Sequence, residues 1–269
     1  MRTLILSALL LLPFGPTAIA QDAPGSADAA AGNGAPSDAQ SSPSREWEVG
    51  ASIFGFGNGN FIQKPKGADK DEPYPGFAGA GGGGGIGLAA MWRGIVGLEL
   101  QIINSQENAE GALNFNAGTV SLLMEQSSWH IPLVLKIAAP TTSVRPFLFV
   151  GPEFIFPSAS GTSDPESFRL IEVGPGQGTN PVSDSPTAGL KLGAYAEDYT
   201  AWTFGFGFDF LLDVGGPDIR IPLTFRGSYN PDLPTKASER SRSTATAKEY
   251  VSEWEWQAFI SLGVAYYFM

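Results

Sequence analysis

The chain has 269 residues, of which 43% are hydrophobic and 16% charged, and its formal net charge is −11. This length suits one large all-β domain, and the 34 glycines and 21 prolines argue against a helical bundle. The acidic balance argues against nucleic acid as a partner. Because the chain has no cysteine, it can form neither disulfides nor thiolate metal sites.

The first 45 residues differ in composition from the rest of the chain. Residues 1–20 have the parts of a Sec-type signal peptide: a positive charge at Arg2, a short apolar run, and a cleavage site that ends at Ala20. Residues 21–45 are rich in alanine, glycine, serine and proline, and they predict a flexible leader. We therefore expect an exported protein whose folded domain comprises residues 46–269. No later stretch has eighteen continuous apolar residues, so no transmembrane helix is predicted.

From residue 46 onward, apolar side chains alternate with polar ones, which is the period of a β-strand. Eight strands are predicted, at 46–57, 84–92, 95–104, 129–138, 144–156, 201–212, 218–229 and 254–268. Short connections near 93–94, 139–143 and 213–217 alternate with long polar ones near 58–83, 105–128, 157–200 and 230–253. Such a layout is typical of an outer-membrane barrel. The predicted fold is all-β, an eight-stranded antiparallel, up-and-down transmembrane β-barrel.

Two further segments carry structural signals: the glycine run at 81–85 and residues 190–195 of a long connection. The run 81–85 consists of five glycines without a following lysine or helix, so it predicts a flexible entry to the second strand and not a phosphate-binding loop. Within the long connection 157–200, residues 190–195 could form a strand that extends the barrel.

The apolar face could point outward to lipid or inward to the core of a soluble, lipocalin-like barrel. Three features favour lipid. The opposite face is rich in glycine, as a narrow lumen requires, and the chain ends within an aromatic strand. In addition, all six tryptophans fall on the apolar face near strand ends, where aromatic girdles meet the membrane interfaces. They are Trp47, Trp92, Trp129, Trp202, Trp254 and Trp256.

Residues 130–136 read His-Ile-Pro-Leu-Val-Leu-Lys, and residues 145–154 read Arg-Pro-Phe-Leu-Phe-Val-Gly-Pro-Glu-Phe. This hairpin resembles the central hairpin of the porin or PorT-like family of outer-membrane β-barrels, with an (E)IPLLLK strand and a (K/R)PY-x-x-x-GP strand. His130 replaces the usual acidic residue, and Phe147 the usual tyrosine. The last strand resembles the signal read by the barrel-assembly machinery, with Met269 as an extra residue. The resemblance implies an OmpA/OmpX-type fold in the outer membrane and no particular reaction.

Strand parity directs one set of charged side chains into the lumen. The acidic members are Glu48, Glu99, Glu153, Asp209 and Glu255, and the basic ones are Arg93, Lys136, Arg145, Arg220 and Arg226. The two signs balance, and eight strands leave little space beyond side chains, so these residues predict a salt-bridged plug. The alternative is that they line a selective ion path.

His130 is the only histidine, so a Ser–His–acid catalytic site would have to use it. Ser127 and Ser128 are close in sequence, but parity turns His130 inward, whereas a lipid A-modifying site must meet the bilayer. We therefore predict a polar residue near the outer rim and no catalytic, cofactor-binding or metal site. An enzyme would need a serine or an acidic partner within hydrogen-bonding reach of His130.

The expected function is that of a non-catalytic outer-membrane protein of a Gram-negative-type bacterium, with a structural or surface-interaction role through extracellular loops. Its expected partners are outer-membrane lipid and, through the C-terminal strand, the barrel-assembly machinery. The sequence identifies no extracellular ligand. A narrow porin-like channel for small solutes or ions is the main alternative, ahead of a lipid A-modifying enzyme and a soluble ligand-binding barrel.

Overall fold

The computed structural model describes residues 46–65, 74–115, 118–140, 143–157, 169–173, 191–212, 218–243 and 247–268. The predicted signal peptide and leader lie outside these residues, as do 141–142 and 213–217 in two of the predicted short turns. In the described ranges, no helix is long and apolar enough to cross a membrane.

Twelve strands occur in the described residues, and a single-turn 3-10 helix spans Ala237–Arg240. The strands are β1 Trp47–Ile62, β2 Phe77–Trp92, β3 Val96–Phe115, β4 Gly118–Ala138, β5 Val144–Pro157, β6 Arg169–Val173, β7 Lys191–Tyr195, β8 Tyr199–Leu212, β9 Asp218–Tyr229, β10 Ser241–Ser243, β11 Ala247–Val251 and β12 Trp256–Tyr267.

Eight of these strands close into one antiparallel barrel. The order around the barrel is β1, β2, β3, β4, β5, β8, β9 and β12, and β12 pairs with β1 to complete the ring. Ile53, for example, lies opposite Ile86 of β2 on one side and Val264 of β12 on the other. The predicted eight-stranded antiparallel barrel is confirmed. Closure leaves the barrel wall without an unpaired edge.

A tight turn joins β2 to β3 and marks what we call the lower end of the barrel; the long connections lie at the upper end. Arg93 and Gly94 both have positive φ, 49° and 65°, and Ile95 N–H donates to the Trp92 carbonyl at 2.9 Å. Positive φ at both central residues is the geometry of a type I′ hairpin turn, which matches the twist of the flanking strands.

Strands β1 to β4 run further toward the upper end than predicted. Leu98, Leu100 and Ile102 are exposed on the outer face of β3, but the next exposed positions are Gln106 and Asn108. Backbone pairing nevertheless continues to the end of β3 and the start of β4. The predicted loop at 105–128 is therefore wrong over most of its length, and the one at 58–83 is wrong at both ends, because the apolar period ends while the hydrogen bonding goes on. Eleven more residue pairs above Trp129 add about 35 Å along the strand.

The glycine run 81–85 lies inside β2 and not at its entrance. Gly83 pairs with Phe56 of β1 and with Ser105 of β3, and its neighbours are paired on both sides in the same way. The expectation of a flexible entry is therefore wrong. Ladder hydrogen bonds on both edges fix the backbone of this glycine-rich strand.

The long connection from β9 to β12 is a folded segment, residues 230–243 and 247–255, which we call the lid. Asn230 N–H donates to the Glu255 carbonyl at 3.0 Å, so the two ends of the lid meet between β9 and β12. Within it, β11 pairs with β10 and, in parallel, with β7. The predicted strand at 190–195 is thus present as β7, but it joins this small sheet and not the barrel wall.

A hydrophobic cluster lies above the lumen, where the lid packs on the upper parts of β1 to β4. Its buried members are Ile62, Tyr74, Phe77, Ala109, Leu122, Met124, Leu233, Ala237, Tyr250, Val251 and Trp254. These side chains form a core of their own, separate from the apolar belt on the outside of the barrel.

Candidate functional site: the barrel lumen and its lid

The outer surface of the barrel between Trp47 and Trp202 is apolar. Trp47 pairs with Trp92 at the lower end, and both are exposed, as are Trp129 and Trp202 toward the upper end. Exposed aliphatic and aromatic side chains between them include Ile53, Ile86, Leu88, Leu98, Leu133, Leu135, Leu148, Val150, Phe204, Phe206, Ile260, Leu262 and Val264. A closed sheet with a continuous apolar belt and aromatic ends matches a bilayer. The chain is an eight-stranded barrel of the outer-membrane type.

Two of the predicted girdle tryptophans differ from these four. Trp254 is only 2% exposed, and its indole N–H donates to Glu107 inside the barrel mouth. Its placement on the girdle is wrong, because β12 begins only at Trp256 and strand parity no longer governs residue 254. Trp256 is half-buried between Phe61 and Tyr229, with ring centroids 6.5 Å and 4.4 Å away.

Lys136 anchors one group of ion pairs in the lower half of the lumen. Its Nζ lies 3.4 Å from Glu99 Oε2 and 3.5 Å from Asp209 Oδ2. The ammonium group also lies over the Phe147 ring, 3.9 Å from its centroid. A single cation therefore faces two carboxylates that come from opposite parts of the barrel wall.

Glu48 anchors a second group, nearer the lower opening. Its Oε2 lies 2.9 Å from Arg220 Nη2 and 3.4 Å from Arg145 Nη1. The Arg220 Nε donates to Asp218 Oδ1 at 2.9 Å, and its guanidinium stacks on Tyr267 at 3.9 Å. These contacts link β1, β5, β9 and β12 across the bottom of the lumen.

Phenylalanine rings fill the middle of the lumen, which the sequence interpretation treated as polar. They are Phe54, Phe56, Phe147, Phe149 and Phe259. Four of them are paired in register with an inward glycine of the next strand, as Phe54–Gly85, Phe56–Gly83, Phe147–Gly207 and Phe149–Gly205. A Cβ on Gly205 would lie only 2.5 Å from Phe149 Cζ. The inward glycines therefore make room for aromatic rings.

A cavity of about 50 Å³ remains between these rings and the ion pairs. Polar members of its lining include Ser52, Glu99, Gln101, Lys136 and Thr224. At roughly 10–15 Å³ for each water, this space holds about four water molecules. It is a chamber inside a packed lumen and is too small for a solute of nutrient size.

Glu153 is the centre of a buried polar network in the upper half of the lumen. His130 Nδ1 lies 2.8 Å from Glu153 Oε1, and Ser228 Oγ donates to Oε2 at 2.7 Å. Arg226 Nη2 lies 3.5 Å from the same carboxylate, and its guanidinium stacks on Phe259. Glu153 and His130 are both completely buried.

Glu107 is a second buried carboxylate, 1% exposed, just below the lid. Its Oε1 accepts hydrogen bonds from Ser105 Oγ at 2.6 Å, Gln257 Nε2 at 3.0 Å and Asn58 Nδ2 at 3.1 Å. Its Oε2 accepts the indole N–H of Trp254. The carboxylate thus connects three barrel strands with the lid.

Ser128, His130 and Glu153 have the distances of a catalytic triad. Ser128 Oγ lies 2.8 Å from His130 Nε2, and the other ring nitrogen lies 2.8 Å from Glu153. Both partners that an enzyme would require are therefore present. However, all three side chains are completely buried, and none of them lines the lumen cavity. His130 Nε2 is also 3.7 Å from Glu107. When His130 is protonated, it and Arg226 balance the two carboxylates.

The remaining predicted lumen residues lie near the openings. Glu255 precedes β12, and its Oε2 lies 3.6 Å from Arg240 Nη1 of the 3-10 helix. Arg93 in the lower turn is exposed, with its guanidinium 4.8 Å from the Trp92 ring centroid. Its predicted lumen position is wrong, because the turn carries this side chain out of the barrel.

Sequence interpretation missed several polar residues of the upper lumen: Asn58, Asn60, Ser105, Glu107, Gln126 and Ser228. A usable signal was present. Ser105 and Glu107 continue the inward parity of Glu99 and Gln101 on β3, and Gln126 continues that of His130 on β4. The first five were missed because strands were ended where the outward residues stopped being apolar. Ser228 lies inside the predicted strand 218–229 but was not singled out. Among the described residues, no group of three or more histidine or acidic side chains is placed to hold a metal ion.

No protein-family model matches this sequence, and no curated protein does. Several solved outer-membrane proteins resemble it in structure. Neisserial surface protein A is 9% identical, with a TM-score of 0.39 over 83% of this chain and 98% of its own. OprG from Pseudomonas aeruginosa is 12% identical, with a TM-score of 0.40 over 82% and 96%. Ail of Yersinia pestis is 10% identical, with a TM-score of 0.34 over 82% and 99%. These likenesses are too distant to indicate a function.

Proposed function

We propose that the chain is a closed barrel in the outer membrane of a Gram-negative-type bacterium, with a structural or surface-interaction role. One observation carries this proposal: the lumen is filled along its length. Ion pairs occupy the lower part, phenylalanine rings the middle, and the Glu153 and Glu107 networks the upper part. The lid then covers the mouth.

The upper end is proposed to face the outside of the cell. Outer-membrane barrels have short periplasmic turns and long extracellular connections, and the turn at Arg93 and Gly94 is the short kind. The extended hairpin of β3 and β4 and the lid then stand above the lipid, where they can meet other molecules. Outer-membrane lipid is the proposed partner of the apolar belt, and the barrel-assembly machinery that of the C-terminal strand.

In a narrow channel, the lumen charges would line a continuous water path, whereas in a closed barrel they are paired. Lys136, Arg145, Arg220 and Arg226 each lie within 3.5 Å of a carboxylate oxygen. The lumen cavity of about 50 Å³ has room for about four water molecules and lies between packed rings and ion pairs. Both observations support the closed barrel.

Conductance in planar bilayers tests this proposal. The refolded full chain should show heat-modifiable gel mobility, which reports a closed barrel, and should give no steady openings in the bilayer. Reproducible single-channel steps from heat-modifiable protein would overturn it and favour the narrow channel. Failure to enter bilayers, despite a compact fold, would favour the soluble barrel instead.

A further inference from the structure

The lid has the connections of a hinged element. Its ends are held together by the hydrogen bond from Asn230 to Glu255, so the residues between them leave and return at one point of the barrel rim. Glu255 N–H also donates to the Phe61 carbonyl at 3.2 Å, which fixes that point to β1. The lid is also joined to β7, because β11 pairs with β7 and Ser252 N–H donates to the Tyr195 carbonyl at 2.9 Å. When the lid rotates about its joined ends, β7 therefore moves with it or separates from it, and the barrel wall stays intact.

Side-chain contacts also hold the lid against residues at or near the upper ends of β1, β2 and β3. Trp254 donates its indole N–H to Glu107, and Tyr74 O–H donates to the Val251 carbonyl at 3.0 Å. Arg240 Nη1 donates to the Gln63 carbonyl at 2.6 Å. Together with the hydrophobic cluster, these contacts favour the closed position.

The closed position also carries a cost. Gln126 is 4% exposed, and neither atom of its amide has a hydrogen-bond partner among the residues that the structure describes. Asn58 Oδ1, Asn60 Nδ2 and, on the lid itself, Ser252 Oγ are likewise buried without a partner. Burying polar atoms that lack partners is unfavourable, and exposure to water removes that penalty. Apolar packing thus favours closure while these polar atoms favour opening.

We propose that the lid is a gate over the buried polar side chains Asn58, Asn60, Glu107 and Gln126, which become the walls of a chamber when the lid opens, and that Trp254 is its latch. Opening admits water and small polar molecules from the upper side to this chamber. It does not open the membrane, because the His130–Glu153 network, the phenylalanine rings and the lower ion pairs lie beneath. This goes beyond the proposed surface role, and a barrel that never conducts can still have a moving lid.

Cysteine accessibility tests the gate, because the natural chain has no cysteine to interfere. Gln126→Cys reports the chamber, Gln106→Cys on the exposed outer face of β3 reports free access, and Val134→Cys reports the buried lower lumen. Each would be made in the full chain, with and without Trp254→Ala, and treated with a small charged methanethiosulfonate. Heat-modifiable mobility confirms that each barrel is folded.

With Trp254 present, Gln126→Cys should react far more slowly than Gln106→Cys. Trp254→Ala should raise the reaction rate of Gln126→Cys by about tenfold or more. The reason is that loss of one buried anchor shifts the equilibrium between the closed and open lid by about that factor. Val134→Cys should stay slow in both backgrounds. Tyr74→Phe, which removes only one hydroxyl, should give a smaller increase in the same direction.

Three results would overturn the gate. Equal rates for Gln126→Cys with and without Trp254 would mean that the indole is no latch. A rate equal to that of Gln106→Cys in the intact protein would mean that no lid covers the chamber. A parallel increase at Val134→Cys would mean that the whole barrel loosens. If Trp254→Ala does not fold, Trp254→Phe keeps a ring and removes the donor to Glu107, and the same criteria apply.

Discussion

Phe149 of β5 and Gly205 of β8 lie directly opposite each other, and the phenyl ring occupies the space where a side chain at 205 would begin. Gly205→Ala places a methyl group 2.5 Å from Phe149 Cζ and closer still to the Phe225 carbonyl oxygen of β9, so both the neighbouring strand and the ring must shift. We expect a loss of about 1–3 kcal/mol in stability, the usual cost of overpacking. Urea titration of the heat-modifiable band measures it.

Gly57→Ala is the matched control for that change. Gly57 is an outward glycine of β1, and the nearest atom to an added Cβ is the Gly81 carbonyl oxygen at 4.0 Å. The same substitution should therefore leave the urea midpoint within experimental error of the natural chain or raise it slightly. If Gly205→Ala and Gly57→Ala have the same urea midpoint, the close packing against Phe149 is not the reason for glycine at this inward position.

The sequence predicted the barrel well because hydrocarbon imposes a strict period of two wherever a strand crosses it. The same reasoning stopped at Ile102 and Trp129, where outward side chains become polar while the strands continue. Phe147 and Phe149 show a second limit: their inward position follows from parity, but only the register shows that each lies on a glycine. Trp254 shows a third limit, since it lies in the irregular segment 252–255 before β12, where strand parity does not fix the direction of a side chain.

The lower turn provides a test of backbone strain. Gly94 has φ of 65°, and an added Cβ would lie 2.5 Å from Glu48 Oε1. Gly94→Ala should therefore destabilise the barrel by about 1–3 kcal/mol, through both the left-handed conformation and displacement of a lumen carboxylate. Thermal loss of the heat-modifiable band measures the effect.

Arg93→Asn is the companion change in the same turn. Arg93 also has positive φ, 49°, but its side chain is exposed, and its guanidinium lies over the Trp92 face. Asparagine adopts this conformation readily, so Arg93→Asn should leave the thermal midpoint nearly unchanged. An effect as large as that of Gly94→Ala would place the strain in the whole turn and not at residue 94.

Removal of the Lys136 ammonium should destabilise the barrel, because the carboxylates of Glu99 and Asp209 then lose the cation between them. Lys136→Met leaves Glu99 and Asp209 facing each other in a buried lumen, and loss of one partner from such a network costs about 3–5 kcal/mol. Adding Asp209→Asn removes the excess charge and should restore part of this stability. Urea midpoints of the single and double variants measure the coupling. A double variant with a lower urea midpoint than Lys136→Met alone would contradict the explanation by charge.

Ser128 tests whether triad geometry alone creates an enzyme. The hydroxyl and its partners are completely buried, so a fluorophosphonate probe should not label the folded barrel at Ser128. Ser128→Ala should instead lower stability by about 1 kcal/mol, the usual worth of a buried hydrogen bond. Mass spectrometry of the probe-treated protein locates any adduct. Labelling at Ser128 that is lost in His130→Gln would reveal a working nucleophile and overturn the non-catalytic proposal.

Tyr250 makes the stability of the lid depend on pH. Burial raises the pKa of the Tyr250 phenol to about 12 from an ordinary value near 10. Since the folded lid favours the neutral phenol, its contribution is complete below about pH 10 and is lost as the pH rises through about 12. The phenolate absorbance of the natural chain minus that of Tyr250→Phe should show one tyrosine with a midpoint near 12. A difference curve centred near pH 10 would mean that the lid leaves Tyr250 in contact with water.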